Sequence, residues 1–97
     1  MKVSLNIKVK QLENGYTGHA ILRHKLHQKM IDTEIQHPEV KLAVENVLDV
    51  ALSSLKTSCN VDVFFESKGD KETSLKVVEL IKKKILDSHH ILRLYHS

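Results

Sequence analysis

Apolar and polar residues alternate at the start of the chain. The apolar positions are Val3, Leu5, Ile7 and Val9, and the polar ones are Lys2, Ser4, Asn6, Lys8 and Lys10. This period of two predicts a β-strand with one buried and one solvated face. Asn14-Gly15 predicts a tight turn, because both residues accept positive φ at little cost. A second strand is expected at residues 17–28. A short third strand should turn Ile31, Thr33 and Ile35 inward, with Asp32, Glu34 and Gln36 outward.

Two later segments have the period of a helix. Pro38 is expected at the first position of helix one, where its missing N–H costs nothing, and Glu39 should follow it. The core-facing stripe, about five turns long, comprises Val40, Ala43, Val44, Val47, Leu48, Ala51 and Leu55. Asp70 is expected to cap helix two, which should run to about residue 86. Its predicted inward residues are Leu75, Val78, Ile81 and Ile85.

Two more strands complete the pattern. Residues 61–65 are apolar except for Asp62, which predicts a central strand covered on both faces. Residues 91–95 form the last strand. The order β-β-β-α-β-α-β requires a strand–helix–strand crossover, which predicts parallel pairing. We therefore expect an α/β two-layer sandwich, with a mixed five-stranded sheet, strand one at its centre and both helices on one face. Residues 1–97 should form a single domain.

Composition narrows the classes of function. The net charge is +3 and the aromatic residues are few, so neither property alone indicates nucleic-acid binding. The single cysteine, Cys59, excludes an intramolecular disulfide and a multi-cysteine zinc site, and it suits a reducing compartment. No apolar segment approaches the ~20 residues that span a bilayer. We expect a cytoplasmic protein with no membrane partner.

Two segments resemble segments of the ribonuclease H-like family. Residues 15–23, GYTGHAILR, are similar to the family's second strand, which often begins GYGAILR. Glu66-Ser67 resembles the acid and serine that end the family's fourth strand. The resemblance implies a ribonuclease H-like core over nearly the whole chain, ending after the fifth strand.

The resemblance also implies a nuclease centre, but most of its acids are missing. The family uses four carboxylates to hold two divalent metals. Glu66 matches the third acid, and Glu45 lies one residue from the place of the second. Residues 2–10 contain no acid for the first, Asn6 being the nearest polar candidate, and the fourth would lie beyond Ser97. We therefore expect no enzyme, no metal and no cofactor. The alternative is a reduced metal-dependent nuclease using Glu66, Glu45, Asp62 and Glu39.

The spacing of the histidines argues against a histidine metal site. His24 and His27 are an odd number of residues apart, so on one continuous strand their side chains would point to opposite faces. His89 and His90 are adjacent and would point apart in an extended segment.

The polar face of strand one predicts an interaction surface. By alternation this basic face with an aromatic centre includes Lys8, Arg23, Lys25, Phe64, Arg93 and Tyr95. Such a face is typical of a contact surface, although an ordinary solvated face is the alternative. The hypothesis is a small non-catalytic binding module that uses this face. Its partner would be another protein, a second copy of itself, or nucleic acid. An accessory protein of a virus or mobile element is one setting for such a module.

Overall fold

Five strands and two helices form the domain. The computed structural model describes residues 2–24, 27–32 and 36–96. The strands are β1 (Lys2–Leu12), β2 (Gly15–His24), β3 (His27–Asp32), β4 (Asn60–Lys68) and β5 (Ile91–His96). The helices are α1 (Val40–Ser53), between β3 and β4, and α2 (Lys71–Asp87), between β4 and β5.

The sheet is mixed, with the spatial order β3-β2-β1-β4-β5. The central strand β1 pairs antiparallel with β2 and parallel with β4. At the two edges, β3 is antiparallel to β2, and β5 is parallel to β4. The predicted α/β sandwich, element order and central position of strand one are confirmed.

Both helices cover the same face of this sheet. The apolar residues of β1 are buried beneath them, together with Ala20 and Leu22 of β2. Helix α1 packs mainly on β2 and α2, while α2 lies over β4 and β5. The predicted stripe of α1 is buried from Val40 to Ala51, and Leu52 joins it. Within the described residues, no element covers the opposite face of the sheet. We call that side the open face.

The second strand is shorter than the alternation predicted. Residues 17–28 are divided, because β2 ends at His24 and β3 begins at His27. No glycine, proline or asparagine separates His24 from His27 in the sequence, so the local pattern did not reveal the boundary between the two strands. Ile31 is buried as expected. Residues 33–35 lie outside the described part of the chain, as does the side chain of Asp32.

Two details of the helices differ from the predictions. Glu39 has an extended backbone and is the N-cap of α1, so Pro38 precedes the helix instead of opening it. Helix α1 has 14 residues, about four turns, and Leu55 packs against the core from beyond its end. In α2, Leu75 is 58% exposed, because the buried stripe runs through Thr73, Val77, Ile81 and Ile85. Leu75 lies about 200° around the helix from Thr73.

Polar contacts fix the second helix. The Asp70 carboxylate accepts a hydrogen bond of 2.7 Å from the Thr73 N–H, as its predicted capping role requires. That bond lowers the pKa of Asp70 below its ordinary value. Between the helices, Lys84 Nζ lies 2.6 Å from a carboxylate oxygen of Asp49. This hydrogen bond raises the pKa of Lys84.

Candidate functional site

An apolar row crosses the middle of the open face. The strand registers bring one residue from each strand into line: Met30, Ile21, Asn6, Phe64 and Tyr95. We call this line the middle row. Met30, Phe64 and Tyr95 are all exposed, and only Asn6 at the centre is polar. The middle row therefore presents apolar surface to solvent from one edge of the sheet to the other.

The two aromatic rings of the middle row are stacked. The centroids of Phe64 and Tyr95 lie 4.8 Å apart, with an angle of 13° between the ring planes. Phe64 is 41% exposed and Tyr95 is 44% exposed. The prediction that the fourth strand is covered on both faces is therefore wrong for Phe64. Its apolar side chain continues the run of β4 because it packs on Tyr95 at the surface, not because a second layer buries it.

Charged rows lie on either side of the middle row. The first charged row comprises Gln28, Arg23, Ser4, Asp62 and Arg93. The second charged row comprises His19, Lys8 and Glu66. Arg23 Nε donates to Gln28 Oε1 at 3.3 Å.

Two acids reduce the positive charge of the open face. Asp62 Oδ2 forms an ion pair with Lys2 Nζ at 3.2 Å, and Glu66 Oε2 lies 3.8 Å from Lys8 Nζ. The parallel register of β1 and β4 places Glu66 directly beside Lys8, whereas Asp62 lies beside Ser4 and reaches Lys2 diagonally. The open face is therefore less basic than the sequence alone indicated.

The proposed binding residues lie together. Lys8, Arg23, Phe64, Arg93 and Tyr95 all occupy the middle row or the charged rows beside it. Lys25 lies outside the described residues. Alternation located these side chains correctly, but it did not reveal the stacking of Phe64 on Tyr95, which depends on the register of β4 against β5.

The four acids of the alternative nuclease centre are dispersed. Asp62 and Glu66 share a face of β4 but are separated by about 13 Å along the strand. Glu45 lies on α1, beyond the other face of the sheet, 3.9 Å from Lys41. Glu39 is the N-cap of α1. Within residues 2–24, 27–32 and 36–96, no three histidine, cysteine, aspartate or glutamate side chains are grouped to hold a metal ion.

A lysine occupies the position where a strand-one acid would share a metal with Glu66. A strand-one acid directly beside Glu66 could bind the same ion. The parallel register places Lys8 there, two residues beyond the polar candidate Asn6. Its ammonium group neutralises Glu66 and repels a divalent cation.

The histidine geometry corrects another expectation. His24 and His27 are cross-strand partners at the end of the β2–β3 hairpin, so they share a face of the sheet. The Nε2 atom of His24 is buried and lacks a hydrogen-bond partner within the described part of the chain. His89 has a left-handed backbone, with φ 62°. The next residue, His90, is buried, and its Nδ1 accepts a hydrogen bond from the Cys59 N–H at 3.0 Å.

A cavity of about 510 Å³ lies on the helical side of the molecule, away from the open face. Apolar side chains of Tyr16, Val40 and Leu80 line it, together with charged residues of both helices. Its shape depends on how α1 and α2 approach each other, so sequence reasoning did not find it.

Neither α1 nor α2 is long and apolar enough to span a membrane.

Comparison with solved structures defines the class of fold. The human cytomegalovirus terminase nuclease domain matches 94% of this chain with a TM-score of 0.58 and 11% sequence identity. This chain spans 45% of the length of that structure's chain. The likeness shows that the domain has a ribonuclease H-like fold, as the sequence resemblance implied.

Other comparisons add little. The Aquifex aeolicus PPX-GPPA enzyme matches with a TM-score of 0.30 and 4% identity, over 97% of this chain and 36% of that one. That similarity is too low to bear on the fold. No protein-family model matches the sequence, and no curated protein matches it.

Proposed function

We propose that this chain is a non-catalytic binding module that contacts a protein partner through its open face and acts in the cytoplasm. The exposed middle row is the observation that carries the proposal. Aromatic residues and arginine are the side chains that most often dominate binding energy in protein interfaces. Here Phe64 and Tyr95 lie on β4 and on the edge strand β5, and Arg23 and Arg93 lie in the neighbouring charged row.

The arrangement of rings and charges favours protein over nucleic acid. Single-stranded nucleic acid gains much of its affinity by stacking bases on aromatic rings. The facing sides of Phe64 and Tyr95 already cover each other. Two lysines of the face are also paired with acids, which weakens its attraction for phosphate. A mixed surface of apolar and paired charged residues is typical of a protein contact.

Two observations support the absence of catalysis. Glu45 and Glu39 lie on α1 and at its N-cap, on the opposite side of the sheet from Glu66, and Lys8 is the residue directly beside Glu66 on β1. Two-metal hydrolysis requires carboxylates that hold two ions about 4 Å apart. A nuclease is the alternative, because the terminase domain that this chain resembles in fold is described as a nuclease domain.

With Mg²⁺ or Mn²⁺, the purified protein is expected to leave RNA–DNA hybrid, duplex and single-stranded nucleic acid intact. The expectation rests on the dispersed acids, since each missing ligand removes both a bond and a charge from the metal. Gel assays of all three substrates measure it. Metal-dependent cleavage that Glu66→Gln abolishes, and that the exposed control Glu13→Gln preserves, would instead establish a reduced nuclease.

A partner protein is expected to bind the wild-type chain and to be lost from Phe64→Ser. The substitution removes one of the two stacked rings of the middle row without changing the core, because Phe64 is exposed. Leu75→Ser on α2 is the matched control, since it also removes an exposed large apolar side chain and lies away from the open face. Affinity capture, followed by titration of the purified partner, measures the effect. A partner that still binds Phe64→Ser and is released by Leu75→Ser would exclude the open face.

A further inference from the structure

The open face is complementary to itself in one orientation. Two copies that pack sheet against sheet around a twofold axis must place this axis in the plane of the interface. Aligned sheet packing keeps the strands of the two copies within about 30° of each other. The axis must then run nearly parallel or nearly perpendicular to the strands, and centring the contact on the face places it along β1 or along the middle row.

An axis along β1 brings complementary residues together. It places β2 of each copy over β4 of the other, and β3 over β5. Phe64 then faces Ile21 of the second copy, and Tyr95 faces Met30. In the first charged row, Asp62 faces Arg23 of the second copy. These oppositions follow from the cross-strand registers. Each contact occurs twice because the interface is symmetric.

An axis along the middle row brings like charges together. It exchanges the two charged rows, so Asp62 of each copy faces Glu66 of the other. Like charges opposed in an interface cost several kcal/mol. In the arrangement along β1, the open-face lysines of that strand, Lys2, Lys8 and Lys10, lie on the axis and each faces its own copy. Two of them are already paired within their own chain, Lys2 with Asp62 at 3.2 Å and Lys8 with Glu66 at 3.8 Å.

We infer that the partner of this module is a second copy of the same chain, and that the two open faces pack around a twofold axis along β1. The inference rests on the proposed function, because it uses the same face. Asp62 is already paired with Lys2 at 3.2 Å and its side chain is only 11% exposed, so the second copy's arginine adds a charge contact at a largely covered carboxylate. Most of the binding energy must therefore come from the exposed residues of the middle row. Because the two sheets cross at an angle, Arg23 and Asp62 of opposite copies are offset sideways. The long arginine side chain can span this offset.

The size of the face fits a reversible dimer. Five strands spaced about 4.8 Å apart make a face about 24 Å wide. The middle row and both charged rows extend it about 20 Å along the strands, which gives a flat area of roughly 480 Å² per copy. This flat area is below the ~800 Å² per partner of a standard interface, which is typical of a weak, reversible contact. We expect dissociation in the micromolar range.

Sedimentation of the whole chain at increasing concentration tests the inference. The wild type is expected to pass from monomer to dimer over about 1–300 µM. Phe64→Ser and Arg23→Glu should each weaken the dimer at least tenfold, the second because glutamate then faces Asp62. Leu75→Ser should leave the dimer unchanged. Circular dichroism shows in each case that the variant is folded.

The other outcomes separate this inference from the proposed function. A dimer that Glu66→Lys tightens and Arg23→Glu leaves intact would overturn the axis along β1, because a lysine at position 66 faces Asp62 only around the other axis. A monomer at every concentration would overturn the dimer, while loss of a captured protein in Phe64→Ser would still support the proposed function. A monomer whose open face binds oligonucleotides with a steep salt dependence would overturn both.

Discussion

Val47→Asp is expected to unfold the domain. Val47 lies on the core-facing stripe of α1 and is 0% exposed. It sits over β2, because a Cβ atom added at Gly18 would lie 2.7 Å from Val47 Cγ2. An unpaired carboxylate there costs several kcal/mol even after its pKa adjusts. A domain of this size has only about 5–10 kcal/mol of stability, so the substitution removes most or all of it.

Val50→Asp provides the matched control for this substitution. Val50 lies on the same helix, but it is 43% exposed, so an aspartate there keeps its water. Its melting temperature should fall by only a few degrees, because exposed substitutions change stability by roughly 0.5 kcal/mol. Thermal melting followed by circular dichroism compares the two variants. A nearly normal melting curve for Val47→Asp would show that the α1 stripe does not face the core.

The sequence predicted elements whose burial follows a local period. The alternation of β1 and the stripe of α1 were correct because side-chain direction in a strand or helix depends on a few neighbouring residues. The crossover through α1 then required β1 and β4 to be parallel. Those constraints predicted the mixed sheet with strand one at its centre. The ribonuclease H-like fold was implied by the resemblance of residues 15–23 and of Glu66-Ser67, and the likeness to a solved structure shows it.

Features that depend on the pairing of distant residues were not predicted. The β2–β3 hairpin has no turn residue to mark it, so the partnership of His24 and His27 was missed. Leu75 was assigned to the core because α2 offers several apolar residues and its sequence alone does not fix which of them face the sheet. Contact with α1, β4 and β5 together selects the stripe through Val77.

In the candidate site too, features set by a local period were predicted, and features set by the pairing of distant strands were not. Alternation placed Phe64, Arg93 and Tyr95 on one face, as the strands later confirmed. It did not pair Lys8 with Glu66, because that contact depends on the register between two strands nearly sixty residues apart. That pairing places the Lys8 ammonium group beside Glu66, the acid that matches the family's third carboxylate.

Gly18→Ala is expected to destabilise the domain by about 1–3 kcal/mol through overpacking. Gly18 has an ordinary strand backbone, so the effect does not come from φ. The new methyl group would lie 2.7 Å from Val47 Cγ2 and 3.0 Å from the Ala43 carbonyl oxygen. Helix α1 must therefore move away from β2. Gly69→Ala is the control, because its Cβ would meet the flexible side chain of Gln11. Urea denaturation measures both variants.

Combining Gly18→Ala with Val47→Ala tests whether this close approach sets the distance between α1 and the sheet. Val47→Ala alone should cost roughly 2 kcal/mol, because it removes buried methyl groups and leaves a cavity. In the double variant the new methyl group at position 18 enters the space that Val47 leaves. The double variant should therefore be more stable than the sum of the two single effects predicts, by about 0.5–3 kcal/mol. Additive effects would mean that Gly18 and Val47 do not meet, and that another contact determines how closely α1 approaches β2.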